Sequence, residues 1–140
     1  MSPTKQLYDQ LIRDEGVVLT AYKDTEGFVT VGVGHNLDAK PISHAAAFVI
    51  LSDDIRDAQD GLLARWPWMS KLSPARFGSM TNLAFNLGIA GLAGFKKFLA
   101  AAEKGDWKVA AGELLNSKYA TQVGDRAKRV AAQLISDEWV

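Results

Sequence analysis

Cysteine is absent from this chain of 140 residues, and histidine occurs only at His35 and His44. Without cysteine the fold cannot depend on disulfides, and a cysteine-based zinc site is excluded. Two histidines offer few nitrogen ligands, so a transition-metal site is not expected either. We therefore predict a protein that works without a metal or other cofactor.

Long apolar runs are also missing, since none approaches the ~20 residues that a membrane-spanning helix needs. The first residues, MSPTKQLYDQLIRDEG, have neither the basic nor the apolar region of a secretory signal peptide. These absences predict a chain that is folded in a cytoplasm and has no stable association with a membrane.

Neither sign of charge is in excess, because 16 basic and 16 acidic side chains cancel. Residues 1–60 carry five basic and ten acidic side chains, whereas residues 61–140 carry eleven and six. A basic half can attract an anionic polymer such as a cell wall or a nucleic acid. Two oppositely charged parts can equally complement each other, so this pattern does not choose a partner.

The N-terminal residues have the pattern of a helix followed by two strands. The apolar stripe of the helix consists of Leu7, Tyr8, Leu11 and Ile12. A cap near Ser2 or Thr4 and a stop at Gly16 would bound this helix. LTAYKD and FVTVGVGH then predict strands on either side of DTEG, which suits a type I turn. Because glycine weakens a central strand, GVGH predicts an end of the sheet or a close approach to its backbone.

The rest of the chain has the pattern of a helical protein. A long helix should begin after Ser43 and end before Pro67, and another should open at Ser73-Pro74. Further helices are predicted in GFKKFLAAAEK, in DWKVAAGELLNS capped by Asp106, and in DRAKRVAAQLI capped by Asp125. We predict an α+β fold in one domain, residues 1–140. It would comprise a mixed N-terminal lobe (1–42) with a short sheet, a connecting helix (43–66) and a helical C-terminal lobe (67–140).

Glu15 stands out among the acidic residues of the N-terminal lobe. Its spacing from Leu11 and Ile12 places it on the apolar stripe of the first helix, whereas Arg13 and Asp14 should point elsewhere. Burial disfavours the charged form of a carboxyl, which suits a proton donor. The alternative is a solvated glutamate on the last turn of a helix.

Other polar residues of this region have both a structural and a functional interpretation. Asp24 can simply hydrogen-bond the backbone of its turn, or can stay ionised opposite Glu15, the pairing that glycoside hydrolysis needs. Thr30 can be an ordinary strand residue or can orient a water beside Asp24. Glu26 is expected to be a solvated turn residue, and His35 a structural histidine.

The segments RDEG, YKDTEG and VTVGVGH together resemble the phage-type lysozymes. That family has a Glu, an Asp nine residues on, a Thr six residues later and a glycine-rich strand that ends in His. These positions are Glu15, Asp24, Thr30 and His35. LAFNLGIAGLAGF and DRAKRV extend the resemblance over nearly the whole chain. One departure is the connection from His35 to the long helix, which is shorter than in the T-even phage enzyme.

The resemblance implies a muramidase that cuts the β-1,4 bond between N-acetylmuramic acid and N-acetylglucosamine in peptidoglycan. It implies a cleft between two lobes, with Glu15 as general acid, Asp24 stabilising positive charge and aligning water, and Thr30 contacting that water. Inversion is the expectation, with the two carboxyl groups about 6.5–9.5 Å apart.

The resemblance also assigns residues that would support the site. Arg126 matches an arginine that pairs with the catalytic Glu, and such a cation would oppose the effect of burial on Glu15. His35 and Asp54 match a structural ion pair. Asn82 and Asn86, one helical turn apart, are either glycan contacts or ordinary polar helix residues.

Three other classes of protein compete with this interpretation. A lytic transglycosylase would use one Glu and release anhydro-sugar ends, but Asp24 and Thr30 argue against it. A non-catalytic glycan-binding or phage structural module would bind without turnover. A helix-turn-helix protein built on SPARFGSMTNLAFNLG would need more basic residues there than one arginine, so no nucleic-acid partner is expected.

The resemblance finally implies how such an enzyme is deployed. We expect a monomeric endolysin that waits in the host cytoplasm and then lyses the host by acting on peptidoglycan glycan strands. A holin-type protein that permeabilises the membrane would release it to the cell wall.

Overall fold

A computed structural model describes residues 2–140 of the chain. Within them are seven α-helices, one short 3₁₀ helix and a three-stranded antiparallel sheet. The chain divides into two compact units, Met1–Val49 and Ile50–Val140. The predicted α+β fold is confirmed, with the sheet near the N-terminus and helices making up the C-terminal part.

The first helix, α1, covers Lys5–Glu15 and ends as the sequence predicts. The hydroxyl of Thr4 accepts a hydrogen bond from the Leu7 amide, which satisfies a backbone donor of the first turn. At the other end Gly16, with a φ of 74°, donates its backbone N–H to the Ile12 carbonyl. A positive φ favours glycine, so the chain leaves the helix directly after Glu15.

The sheet has the order β1-β2-β3, with β1 at Val18–Lys23, β2 at Val29–Gly32 and β3 at His35–Asn36. Tyr22 lies opposite Thr30 in the β1–β2 pair. The DTEG turn joins these strands as expected. The second predicted strand, however, is two strands, because Val33 and Gly34 form a turn between β2 and β3.

The long helix α2 covers His44–Arg65, in agreement with the prediction from Ser43 to Pro67. The boundary between the two units falls inside it, after Val49. A 3₁₀ helix over Pro67–Lys71, which the sequence analysis did not predict, follows it.

The remaining helices of Ile50–Val140 pack around one apolar core. Their bounds are α3 Pro74–Ala93, α4 Lys96–Glu103, α5 Trp107–Leu115, α6 Lys118–Val123 and α7 Asp125–Ser136. The largest fully buried apolar side chains are Phe98, Leu62, Met69, Met80, Leu83, Leu92, Leu114 and Leu134. Helix α5 packs between α4 and α7, and α3 packs on α7. A break at Gly88, with a φ of 74°, bends the C-terminal end of α3.

One prediction about the C-terminal helices is wrong, and one helix was not predicted. Asp125 does not cap α7, because Gly124 holds the cap position and Asp125 is already the first helical residue. Its carboxylate instead lies 3.7 Å from the Lys128 ammonium group, one turn along the helix. The helix that was not predicted is α6, which has six residues and Ser117 as its cap. So short a helix has too few residues to show a period.

Between residues 2 and 140 no single helix is both long and apolar enough to cross a membrane. Helices α3 and α4 taken together are long and apolar enough by length and composition alone, but the two are bent by 106°.

Candidate active site

Glu15 lies against the turn that joins β2 to β3. A Cβ atom built on Gly34 would be 2.7 Å from Oε2 of Glu15 and 3.0 Å from its Cδ. Gly34 also has a φ of 64°, a backbone conformation that favours glycine, and a side chain at this position would have to displace the Glu15 carboxylate. The close backbone approach predicted for GVGH is confirmed, and its partner is the Glu15 carboxylate.

The predicted burial of Glu15 is wrong, because the residue is exposed in the structure. The apolar stripe of α1 is not buried either: its four side chains are 42–57% exposed. Together with Pro3 and Val33 the stripe lines an open cavity of about 330 Å³. Glu15 is not among the residues that line this cavity, and its side chain is accessible to solvent.

Asp24 and Thr30 are joined through the backbone of a single residue, Phe28. Oδ1 of Asp24 accepts hydrogen bonds from the amides of Glu26 and Phe28, both at 2.9 Å. The Phe28 carbonyl accepts one from the Asp24 amide at 2.9 Å and one from the Thr30 hydroxyl at 3.0 Å. The hairpin thus fixes both side chains, while Oδ2 of Asp24 has no part in these bonds.

Thr30 is the buried residue of this hairpin, with 3% of its surface exposed. The Thr30 hydroxyl donates its one hydrogen to the Phe28 carbonyl. Only the acceptor lone pairs of its oxygen therefore remain available. A hydroxyl in this state can accept a hydrogen bond from a water but cannot donate one.

His35 and the loop after it stabilise the strands. Nε2 of His35 lies 3.0 Å from the Lys40 carbonyl. Asp38, which was not predicted to have a role, accepts a hydrogen bond from the Val29 amide at 2.8 Å. Its only signal in the sequence is its place in NLDAKP, the segment that connects the glycine-rich strand to the long helix. Asp54 belongs to the other unit, where it is exposed on α2, so its pairing with His35 stays a prediction.

Arg126, Asn82 and Asn86 also belong to Ile50–Val140. Nε of Arg126 donates a hydrogen bond of 2.9 Å to Oδ1 of Asn82, which joins α7 to α3. Asn86 is exposed, two residues before the break at Gly88. No pattern in the sequence predicts the Arg126–Asn82 bond, because the two residues are 44 positions apart.

Tyr119 is a buried residue, and the positive charge of Arg126 acts on its hydroxyl group. Burial raises the pKa of its hydroxyl above the ordinary value of 10.0, and the positive charge of Arg126 opposes that rise. No residue between 2 and 140 forms a hydrogen bond with the hydroxyl.

In the same range no three His, Asp or Glu side chains are grouped so that they could hold a metal ion.

The fold and these positions define an α+β protein with one carboxylate at a helix end and another in a hairpin turn. A family model described as phage lysozyme matches residues 13–134. The chain therefore belongs to the phage lysozyme family.

Individual relatives agree with this family. A probable T4-type lysozyme of Dictyostelium discoideum is 30% identical over 154 residues, covering 89% of this chain and 90% of the relative. The endolysin of Salmonella phage P22 is 32% identical over 95 residues, covering 61% and 62%.

A third relative is a much longer protein. The pre-baseplate central spike protein Gp5 of Enterobacteria phage T4 is 26% identical over 163 residues, covering 96% of this chain. This chain spans only 28% of that relative's length.

Proposed function

We propose that the chain is a muramidase that hydrolyses β-1,4 bonds between N-acetylmuramic acid and N-acetylglucosamine in peptidoglycan. Membership of the phage lysozyme family supports this reaction. The observation that carries it furthest is the N-terminal site, where Glu15 lies at Gly34 and one residue's backbone holds both Asp24 and Thr30.

Glu15 acts as the general acid that protonates the leaving glycosidic oxygen. Its carboxyl group is exposed and can therefore reach a bound glycan. The glycine at position 34 leaves room for its carboxyl group at the turn.

Asp24 stabilises the oxocarbenium-like charge of the transition state and aligns the attacking water. Its Oδ1 is occupied by two backbone amides, so Oδ2 is the oxygen that serves the reaction. Thr30 accepts a hydrogen bond from the same water. Attack by that water on the face opposite the leaving group makes the reaction inverting, which the anomeric form of the first product would reveal.

Substitution of Glu15 tests the general acid. We expect Glu15→Gln to lose about 10²–10⁴-fold in the rate of peptidoglycan cleavage, the usual contribution of such a group. Asp14→Asn is the matched control, since Asp14 is the adjacent exposed carboxylate and its partner is Arg13 at 2.8 Å. Equal clearance of peptidoglycan by wild type and Glu15→Gln would show that another group is the acid.

Substitution of Asp24 tests whether the reaction needs the negative charge of its carboxylate. Asn keeps an acceptor oxygen for the two turn amides, so Asp24→Asn should fold normally and still lose most activity. Asp38→Asn is its control, because Asp38 also accepts a backbone hydrogen bond at the same sheet. Near-full activity of Asp24→Asn would remove Asp24 from the mechanism.

A second candidate is a module of a virion structural protein that binds glycan without cutting it. The likeness to a pre-baseplate spike protein over 96% of this chain favours it. Binding of purified peptidoglycan without release of any product would decide for this candidate. Products with 1,6-anhydromuramic ends would instead identify a lytic transglycosylase.

A further inference from the structure

Two cavities in Ile50–Val140 share the same pair of side chains, Asn82 and Arg126. One cavity has a volume of about 370 Å³ and is lined also by Phe85 and Trp139. The other has a volume of about 330 Å³ and is lined also by Arg129. A group that enters either cavity therefore meets the amide of Asn82 or the guanidinium group of Arg126.

The Asn82–Arg126 hydrogen bond uses the inner nitrogen of the guanidinium group. Nε donates to Oδ1 of Asn82 at 2.9 Å, which fixes the rotation of the planar group. Among residues 50–140 the ion pairs are Arg56–Asp53, Arg76–Asp137 and Lys128–Asp125, so Arg126 takes part in none. Its two terminal nitrogens are thus held in a defined plane with no carboxylate of this unit to bind.

An arginine in this state is prepared for one kind of ligand. The terminal N–H groups of a guanidinium form two parallel hydrogen bonds with a carboxylate, and the gain is larger when the group is already oriented. Arg126 is also half-buried, which further restricts its side chain. Asn86, one turn along α3, has no comparable bond with residues 50–140 and serves as a comparison.

We propose that Asn82 is a positioning residue that acts through Arg126 and does not itself contact the glycan. By holding Nε it orients the terminal nitrogens of Arg126 to bind a carboxylate during the reaction. This inference rests on the proposed muramidase function for its kinetic test, but not for its spectroscopic one.

The kinetic test is a double-mutant cycle measured as kcat/KM on purified peptidoglycan. Asn82→Leu should lose at least about tenfold in the wild-type background, equivalent to about 1.4 kcal/mol. In an Arg126→Lys background the same substitution should cost less than about twofold, because lysine has no Nε to hold. Asn86→Leu should have the same effect in both backgrounds. Losses from Asn82→Leu and Arg126→Lys that simply multiply would overturn the proposal.

The same kinetics locate the carboxylate when they are repeated on glycan strands that have lost their stem peptides and whose freed lactyl carboxyl groups have been converted to amides. If Asn82→Leu is harmful only on peptide-bearing strands, the carboxylate belongs to the substrate. If it is harmful on both, the carboxylate belongs to the enzyme. Both results support a role through Arg126, whereas full activity of Asn82→Leu on both substrates contradicts it.

The spectroscopic test follows the Nε–H groups of the arginines by nitrogen NMR. In the wild type the Nε–H of Arg126 should exchange with water more slowly than that of exposed Arg129. Asn82→Leu should remove this difference, and Asn82→Asp, which keeps an acceptor oxygen, should preserve it. An unchanged exchange rate in Asn82→Leu would refute the positioning role even if the enzyme cuts peptidoglycan. Slow exchange in a wild type that cuts nothing would refute only the proposed reaction.

Discussion

At Gly34 the absence of a side chain leaves room for the Glu15 carboxylate. The turn between β2 and β3 leaves just enough room for Oε2 and Cδ of Glu15. Gly32, two residues earlier, has a similar φ of 71° but no heavy atom within 4 Å of a Cβ built on it. Gly32 is therefore needed for its backbone conformation alone, whereas Gly34 also leaves space for the Glu15 side chain.

We expect Gly34→Ala and Gly32→Ala to lose stability alike, by roughly 1–2 kcal/mol, because both force a left-handed conformation. Only Gly34→Ala should also displace Glu15 and lose most of the cleavage activity. Urea unfolding and peptidoglycan cleavage at a temperature where both variants are folded will check this. A similar loss of activity in both would mean that the space at Gly34 is unimportant.

Tyr119 gives a second residue-scale prediction, on the dependence of stability on pH. Its folded-state pKa is raised by burial, so the folded chain holds the hydroxyl proton more tightly than the unfolded chain does. The stability that this provides is fully present below the ordinary pKa of 10.0 and is lost as pH rises through the higher folded-state value.

Tyr119→Phe should therefore lessen the fall in unfolding free energy at alkaline pH. At neutral pH it should cost less than about 1 kcal/mol or even stabilise, because it removes a buried hydroxyl that has no partner among residues 2–140. Urea unfolding of both proteins from neutral to alkaline pH measures the difference. Parallel curves would show that the phenol does not titrate with unfolding.

At the scale of elements, Arg76 joins three helices of the C-terminal unit. From α3 its Nε donates to the Leu134 carbonyl at 2.8 Å and an Nη to the Ile135 carbonyl at 3.4 Å. These carbonyls lie in the last turn of α7, where intrahelical partners are missing. The guanidinium group also lies 4.7 Å from the centre of the Trp107 ring on α5.

Arg76→Lys should cost about 1–3 kcal/mol, because an ammonium group cannot make both carbonyl bonds and also lie flat on the ring. Arg56→Lys is the control, since Arg56 is 70% exposed and its Asp53 partner is 3.8 Å away. That change should stay within about 0.5 kcal/mol. Thermal or urea unfolding compares them, and equal effects would mean that Arg76 is no more than a surface ion pair.

At the scale of the whole molecule, burial is distributed unevenly between the two units. Among described residues 2–49 only Thr30 is buried, whereas Ile50–Val140 contains the apolar core. Local opening costs little where few apolar contacts must be broken.

Native-state hydrogen exchange should therefore show the strongest protection in α3, α5 and α7, with faster exchange in α1 and the three strands. The difference should persist in Glu15→Gln, which leaves the core intact. Strands that exchange as slowly as α7 would show that the N-terminal unit opens only when the whole chain unfolds.

Several local features were predictable because their causes lie within a few residues. Thr4 and Ser73 cap α1 and α3 as expected, and Gly16 ends α1. The turn at Asp24 was predicted too, since its acceptors and donors are all within four residues. Asp125 failed as a cap because the preceding Gly124 takes the non-helical position.

The sequence by itself therefore determined the α+β class, most helix ends and, by its spacing, which carboxylates to examine. Only the tertiary structure decided that Glu15 lies exposed at Gly34 and that Asn82 holds Arg126. The physical reason is the range of the interactions. Caps and turns join neighbours along the chain, whereas these contacts join residues that packing alone brings together.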